Sequence, residues 1–396
     1  MKYRIRKLII YFASLFILNN TKRKDFIRDK ILRLELKDKM KTFIFNSYQD
    51  ILYLKNKDIA FNTDKIKSDL YLNLKDKFNN ENLLISNAKY FIKNNLPYIW
   101  GLLDKNYKLN TIVNINNKNV KFLLLEDGFL RSATTYANDS VDMKYRVGIS
   151  FIMDDLTCYY DATRISRMEQ VLNSNFTLSE EQKERARKNI NRILESKITK
   201  YNHQPIYKPN IGNNKQKILV VDQSYGDLSI EKGLANDKTF ETMVKTAIKD
   251  NPNCDIIIKT HPDAKYKKKI SYFSNIQEGN GVYKITEAIN PLSLIEYVDK
   301  VYVCSTQLGF EALMAGKEVH TFGVPFYSNW GLTVDHNICS RRQRKRTLEE
   351  IFYISYIMFS LYINPVSKKQ MEIEEAIEYL IDLRKEYFKE FNIRFE

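Results

Sequence analysis

The sequence predicts an α/β fold built on a parallel, doubly wound sheet, and three observations predict it. Short apolar, β-branched runs alternate with helical segments at close spacing through the second half of the chain. The polar residues Asp227, Lys259, His261, Ser305 and Thr306 all follow such runs, at what would be one rim of the sheet. The length of 396 residues, 44% of them hydrophobic, supplies core for two domains or one large one.

Taken in order, residues 1 to about 110 carry few motifs. The apolar run Ile9 to Leu18 is too short to span a bilayer as a helix. Basic residues flank it and no small-residue cleavage site follows, so it reads as a core helix or a membrane-surface contact. Thr42 to Asn46 reads as a strand, Lys65 to Asn79 and Ala88 to Asn95 as helices, and Lys105 to Lys118 as an Asn-rich loop containing a strand. Val120 to Leu125 is an apolar strand that ends in Glu126-Asp127-Gly128-Phe129-Leu130-Arg131-Ser132. Acids and an arginine there mark either a ligand site or a turn ion pair between Asp127 and Arg131.

Val147 to Met153 is the next strand. Asp154 and Asp155 follow, before a Tyr-rich run read as a strand. Adjacent acids on a strand point to opposite faces, so a turn suits them better than a metal site. Ser179 and Gln182 form a capping box ahead of EEQKERARKNINRILESK, a run of strong helix formers. His203 to Lys215, with Pro205, Pro209 and Gly212, reads as connecting chain. The organisation expected is an N-terminal α/β domain over 1–205, a linker over 206–215, a second domain over 216–340 and a helical C-terminal segment over 341–396.

In the second domain the strands are Lys217 to Asp222, Asp255 to Lys259, Tyr283 to Ile285, Val301 to Cys304 and Glu318 to Phe322. Helices are expected over Asp237 to Asp250, Pro291 to Val298 and Gln307 to Ala315, the last stopped by Gly316 in a left-handed cap. Ser305 and Thr306 stand between a strand end and a helix start. There they either cap the helix or, with its backbone N–H groups, hold a phosphate. Glu311 repels phosphate but can accept the hydroxyls of a ribose; its alternative is plain exposure. His261 can move a proton near neutral pH or cap the turn before Pro262, with Lys259 on the same strand face. Asp227 either begins a helix or acts as the carboxylate that stabilises or traps an oxocarbenium centre. Ser340 to Arg346 places five basic residues in six, which is either a solvated face or a grip on an anionic donor or lipid headgroup.

The net charge of +15 and pI near 9.3 favour an anionic partner, although the Lys and Asn content partly reflects base composition. Cys158, Cys254, Cys304 and Cys339 form no CxxC pair, which fits a reduced cytosolic chain without a zinc site.

Six ordered motifs resemble the bacterial capsule polysaccharide biosynthesis proteins of the KpsC/LipB type, retaining β-Kdo glycosyltransferases. They are EDGFLRS (from Glu126), DDLTCYYDATRISRME (from Asp154), VVDQSYGDLSI (from Val220), KTHPD (from Lys259), STQLGFEALMAGK (from Ser305) and GVPFYSNWGLT (from Gly323). Together they span about residues 120 to 365, leaving the first hundred uncovered.

The resemblance implies a GT-B-like enzyme with two Rossmann-type halves facing across a cleft, using CMP-Kdo or a similar CMP-sugar and no metal or other cofactor. By the same resemblance Asp227 is the nucleophile, with His261 and Glu126 as catalytic partners. Lys259, Ser305, Thr306, Gln307, Gly309 and Glu311 bind the donor, together with Asp127, Gly128 and Arg131. A lipid-linked or oligosaccharide acceptor, peripheral contact with the inner face of the inner membrane through the basic surface, and no nucleic acid are the expected partners. The chain departs from the family pattern at Thr157, Ile165 and Asn329, where glycine, proline and glycine are usual. The rival readings are a CDP-polyol phosphotransferase of the teichoic-acid type and a non-catalytic nucleotide-sugar or lipid-binding component of a capsule complex.

Overall fold

The computed structural model describes residues 90–93, 96–101, 123–136, 138–213, 216–260, 271–273, 276–367 and 369–393. The elements expected at Ile9 to Leu18, Thr42 to Asn46, Lys65 to Asn79 and Lys105 to Lys118 lie outside them, as does His261. Strand β1 is Tyr90–Lys93, β2 Leu96–Trp100 and β3 Leu123–Asp127. Helix α1, Met143–Arg146, precedes β4, Ser150–Asp154; α2 is Arg167–Asn173 and α3 Glu180–Ser196. The alternation then runs β5 Lys217–Val221, α4 Leu228–Lys232, α5 Asp237–Asp250, β6 Asp255–Lys259 and β7 Val282–Ile285. It continues through α6 Pro291–Tyr297, β8 Lys300–Val303, α7 Leu308–Met314, β9 Glu318–Thr321 and β10 Val334–Asp335. Helix α8 (Leu348–Phe352) passes into a π-helical turn, Tyr353–Met358, before β11 (Ser360–Ile363), β12 (Gln370–Met371) and α9 (Ile373–Glu390).

One sheet has the order β1-β2-β3-β4-β11-β12 and the other β10-β9-β8-β5-β6-β7. All five pairings of the second sheet are parallel, as the alternation requires. Its order reverses at β5: the chain moves outward through β6 and β7, then returns to pair β8 on the opposite side of β5. That reversal opens a crevice at the carboxyl ends of β5 and β8. Helix α5 covers the sheet with Phe240, Met243, Val244 and Ala247, spaced i, i+3, i+4 and i+7. This stripe joins Ile218, Val220, Ile256, Ile258 and Tyr302 in one buried cluster.

By residue contacts the chain forms two compact units. One gathers the chain up to Glu126 with Ile152–Cys158 and Ile363–Gln370; the other holds Asp127–Phe151, Tyr159–Tyr362 and Met371–Glu396.

The expected α/β class and the helices at Asp237 and Pro291 are borne out, and Ser179 does close a capping box with Gln182. Gly316 has φ +71°, the left-handed cap predicted for it. Three expectations are corrected. Tyr90–Lys93 is a strand antiparallel to β2, not part of a helix, because its Tyr, Phe and Ile favour extended chain. The Tyr-rich run after Asp155 is a turn: the Asp154 carboxylate accepts the N–H groups of Leu156 and Thr157 and bends the chain there. The C-terminal segment is not wholly helical, since β11 interrupts it.

Two of the five basic residues at 341–346, Arg342 and Arg346, are buried, and Arg341 is partly so. Glu169, 4% exposed, accepts Arg341 Nε at 2.8 Å and Arg342 Nε at 3.1 Å. Arg342 also donates to the carbonyls of Pro325 and Ser328, and Arg346 to those of Leu172, Ser174 and Phe176. These three arginines therefore staple the segment to α2 and the 325–328 turn, instead of forming a solvated face. Asn329, where glycine is usual in the resembling family, stands at φ +63°, a conformation asparagine tolerates. Its side chain accepts Cys339 N and donates to Asn337 O.

Candidate active site

A cavity of about 300 Å³ opens within the second unit at the carboxyl ends of β5, β6 and β8. The residues leaving those strands line it: Asp222 to Ser224 and Asp227 after β5, Lys259 and Thr260 at β6, and Ser305 to Leu308 with Glu311 after β8.

Gln223 joins two of the exits. Its Oε1 accepts Ser305 N at 2.8 Å while its Nε2 donates to Ser305 Oγ at 3.1 Å, which holds the β5 and β8 loops in register. Thr306 caps α7 from outside: its Oγ1 accepts Leu308 N, and its carbonyl accepts Gly309 N and, at 2.6 Å, the Tyr327 hydroxyl. Gly309, expected to touch ligand, does not line the cavity. A Cβ there would overlap the Tyr327 hydroxyl, so the glycine is required by packing. Gly309→Ala is expected to cost about 1–3 kcal/mol, read as a lowered thermal midpoint, because Tyr327 must give up its bond to Thr306.

Glu311 is not exposed. It is 4% accessible and lines the cavity, with Gln307 Nε2 donating to its Oε1 at 3.1 Å. Burial pushes its carboxyl up to about 7, against the opposing pull of the Gln307 hydrogen bond and of Lys200. Gln307 Nε2 also donates to Phe129 O at 2.9 Å and approaches the Tyr356 hydroxyl at 3.5 Å. Tyr356 comes from the π-helical turn and stacks on Phe129 with ring centroids 4.5 Å apart. Thus Gln307 is held by two neighbouring segments, and it in turn orients Glu311.

Lys259 is 7% exposed, and its Nζ donates to the carbonyls of Glu287 at 2.9 Å and Thr260 at 3.3 Å. Burial lowers it to about 8, so the ammonium is easily discharged until an anion enters. Asp227 is exposed and begins α4, its Oδ1 accepting Ser229 N at 2.8 Å. Helix start and cavity wall are therefore one place, and the two readings of Asp227 do not compete.

The cavity thus unites Asp227, Lys259, Ser305, Thr306, Gln307 and Glu311. It does not take in Asp127, Gly128 or Arg131. Arg131 is 1% exposed and pairs with Asp127 at 2.7 Å, its NH1 donating to Ser132 Oγ and Arg146 O; Gly128 N donates to Ser150 O. The turn ion pair is the reading the structure supports, with the loop placing Phe129 beneath Gln307. Glu126 belongs to the first unit, whereas every residue lining the cavity belongs to the second. Sequence reasoning missed Gln223, Lys200, Tyr159 and Phe326 in the walls and Tyr356 behind them. Gln223 had a signal in its place at a strand exit, and Tyr159 and Phe326 fall inside quoted motifs; Lys200 and Tyr356 arrive from distant chain. Among the described residues no helix is long and apolar enough to cross a membrane.

A family model described as capsule polysaccharide biosynthesis protein matches residues 99–211 and 183–366. The chain is 35% identical over 299 residues to the capsule polysaccharide modification protein LipA of Neisseria meningitidis serogroup A / serotype 4A, covering 72% of this chain and 41% of that protein. It is 32% identical over 292 residues to the lipopolysaccharide-processing protein LpsZ of Rhizobium meliloti, covering 70% and 62%. The chain therefore spans well under half the length of LipA. Among solved structures it is similar to the β-Kdo 2,4 transferase of Thermosulfurimonas dismutans KpsC, with TM-score 0.66 and 36% identity over 72% of this chain and 86% of that one. The β-Kdo 2,7 transferase of the same KpsC gives TM-score 0.50 and 29% identity over 72% and 84%.

Proposed function

We propose, from the premise that this chain belongs to the capsule polysaccharide biosynthesis protein family, that it is a retaining glycosyltransferase moving Kdo or a related ulosonic acid from its CMP donor. The acceptor is a lipid-linked or oligosaccharide hydroxyl at the inner face of the inner membrane. The observation that carries this reading is that Asp227, Ser305 to Leu308 and Glu311 line one cavity. The similarity to the two KpsC transferases supports it.

In the proposed reaction the turn after β8 and the start of α7 receive the phosphate of CMP, and Glu311 accepts the ribose hydroxyls. Lys259 meets the negative charge of the donor. An Asp227 carboxylate oxygen attacks the anomeric carbon; the bond from that carbon to the phosphate oxygen breaks, and CMP leaves with the electron pair. The acceptor hydroxyl then attacks the same carbon, displacing Asp227, and its proton passes to His261. Two inversions give net retention.

The test is incubation with CMP-Kdo and a Kdo-terminated oligosaccharide, with product mass and anomeric NMR. A product heavier by one Kdo, with the donor's anomeric configuration, is expected. A product that gains phosphorus, or none at all, sinks the reading. A pH series gives a second check. Lys259 loses its proton above about 8 in the free protein, and an anion binds the protonated form, so CMP affinity falls between pH 7 and 9.5. In Lys259→Met the affinity is weaker and this slope disappears; a slope that persists assigns it elsewhere.

A further inference from the structure

Tyr225, 45% exposed, and Phe391, 40% exposed, are large aromatic side chains that stand in water. Phe391 ends the C-terminal helix, but Tyr225 lies between Ser224 and Asp227, both of which line the cavity. The Tyr225 ring thus stands in water two residues from the carboxylate proposed as nucleophile.

It is held by two contacts. Ser224 forms an antiparallel bridge with Ser271, and Gly226 N donates to the Tyr272 hydroxyl at 3.4 Å. The Tyr225 ring rests against Tyr272 at 5.0 Å, tilted by 36°. Tyr272 is itself stacked on buried Phe240 at 3.9 Å and 5°. Three rings thus step from the core to the loop that carries Asp227, and the outermost presents its surface to solvent.

Strand order sets what lies on either side of that loop. Strand β5 lies between β8 and β6. Gln223 binds Ser305 on the β8 side, where the donor's nucleotide is read, whereas Ser224 and Tyr225 turn to the β6 side against 271–272. Lys259 at the end of β6 and Ser305 after β8 meet the donor from two sides, so the solvent side of the Asp227 loop, where Tyr225 stands, is left for the incoming group.

We propose that Tyr225 is a stacking platform for the terminal sugar ring of the acceptor, packing its aromatic face on the ring's C–H groups. This assignment rests on the transferase reading above and adds an acceptor subsite to it.

Tyr225→Ala is expected to raise the acceptor KM by about three- to tenfold, the worth of one aromatic contact, with the donor KM unmoved. Tyr225→Phe and Tyr225→Trp are expected to keep the acceptor KM near wild type. An unchanged acceptor KM in Tyr225→Ala, or a donor KM that rises in step with it, overturns the platform. A second measurement needs no turnover: saturation-transfer NMR of a Kdo-terminated oligosaccharide on CMP-saturated protein. Ring-proton saturation present in wild type and lost in Tyr225→Ala supports the platform even if no transfer occurs, in which case the transferase reading alone falls. Saturation unchanged in Tyr225→Ala overturns the platform while leaving that reading intact.

Discussion

Asp227→Ala is expected to lower transfer from CMP-Kdo by at least about a thousandfold while CMP still binds. The magnitude follows from removing a nucleophile, after which only positioning and charge stabilisation remain. CMP binding should persist because the proposed donor contacts are Lys259, Ser305 and Glu311, none of which touches Asp227 in the described contacts. Asp227 also caps α4 through Ser229 N, so Asp227→Asn is the companion variant: it keeps a capping oxygen and removes the charge. Both variants should be inactive and both should bind CMP, measured by calorimetry alongside turnover. Near wild-type turnover in Asp227→Asn would refute the nucleophile assignment.

Glu169→Gln is expected to destabilise the protein by about 3–5 kcal/mol, the usual loss when one partner of a buried ion pair is removed. The change leaves Arg342, itself 9% exposed, without the carboxylate that balances it, and Arg341 loses its 2.8 Å contact. At about 2–4 °C per kcal/mol the thermal midpoint falls by roughly 10 °C. Pairing Glu169→Met with Arg342→Leu should recover part of that loss, because no charge is then left buried alone. A midpoint within 1 °C of wild type for Glu169→Gln, on the order of a surface pair's worth, would mean that the pair is hydrated and not structural.

Much of the second sheet was legible because its strands are short apolar runs closed by polar exits. Its α5 helix carries its apolar residues at helical spacing from a capped start, so both ends could be read. Elements whose identity depends on a partner were not legible. Tyr90–Lys93 carries a pattern too short to separate helix from strand, and pairing with β2 decides it. The arginines at 341–346 looked like solvent-facing charge, since nothing local announces Glu169 some 170 residues earlier. Glu311 could be placed on a helix from the sequence, but its burial depends on a wall supplied by Phe129, Lys200 and Tyr356.

What the sequence by itself determined was the alternation of strands and helices and the placing of Asp227, Lys259 and Ser305 at strand exits. These follow from local periodicity, capping and β-branched runs, which act over a few residues. What only the tertiary structure decided was which exits share a cavity, that Asp127 and Arg131 are spent on each other, and that Glu311 is desolvated. Those outcomes depend on strand order and on contacts between residues far apart in the chain, where the cost of burying charge selects the partner and the local pattern carries no information about it.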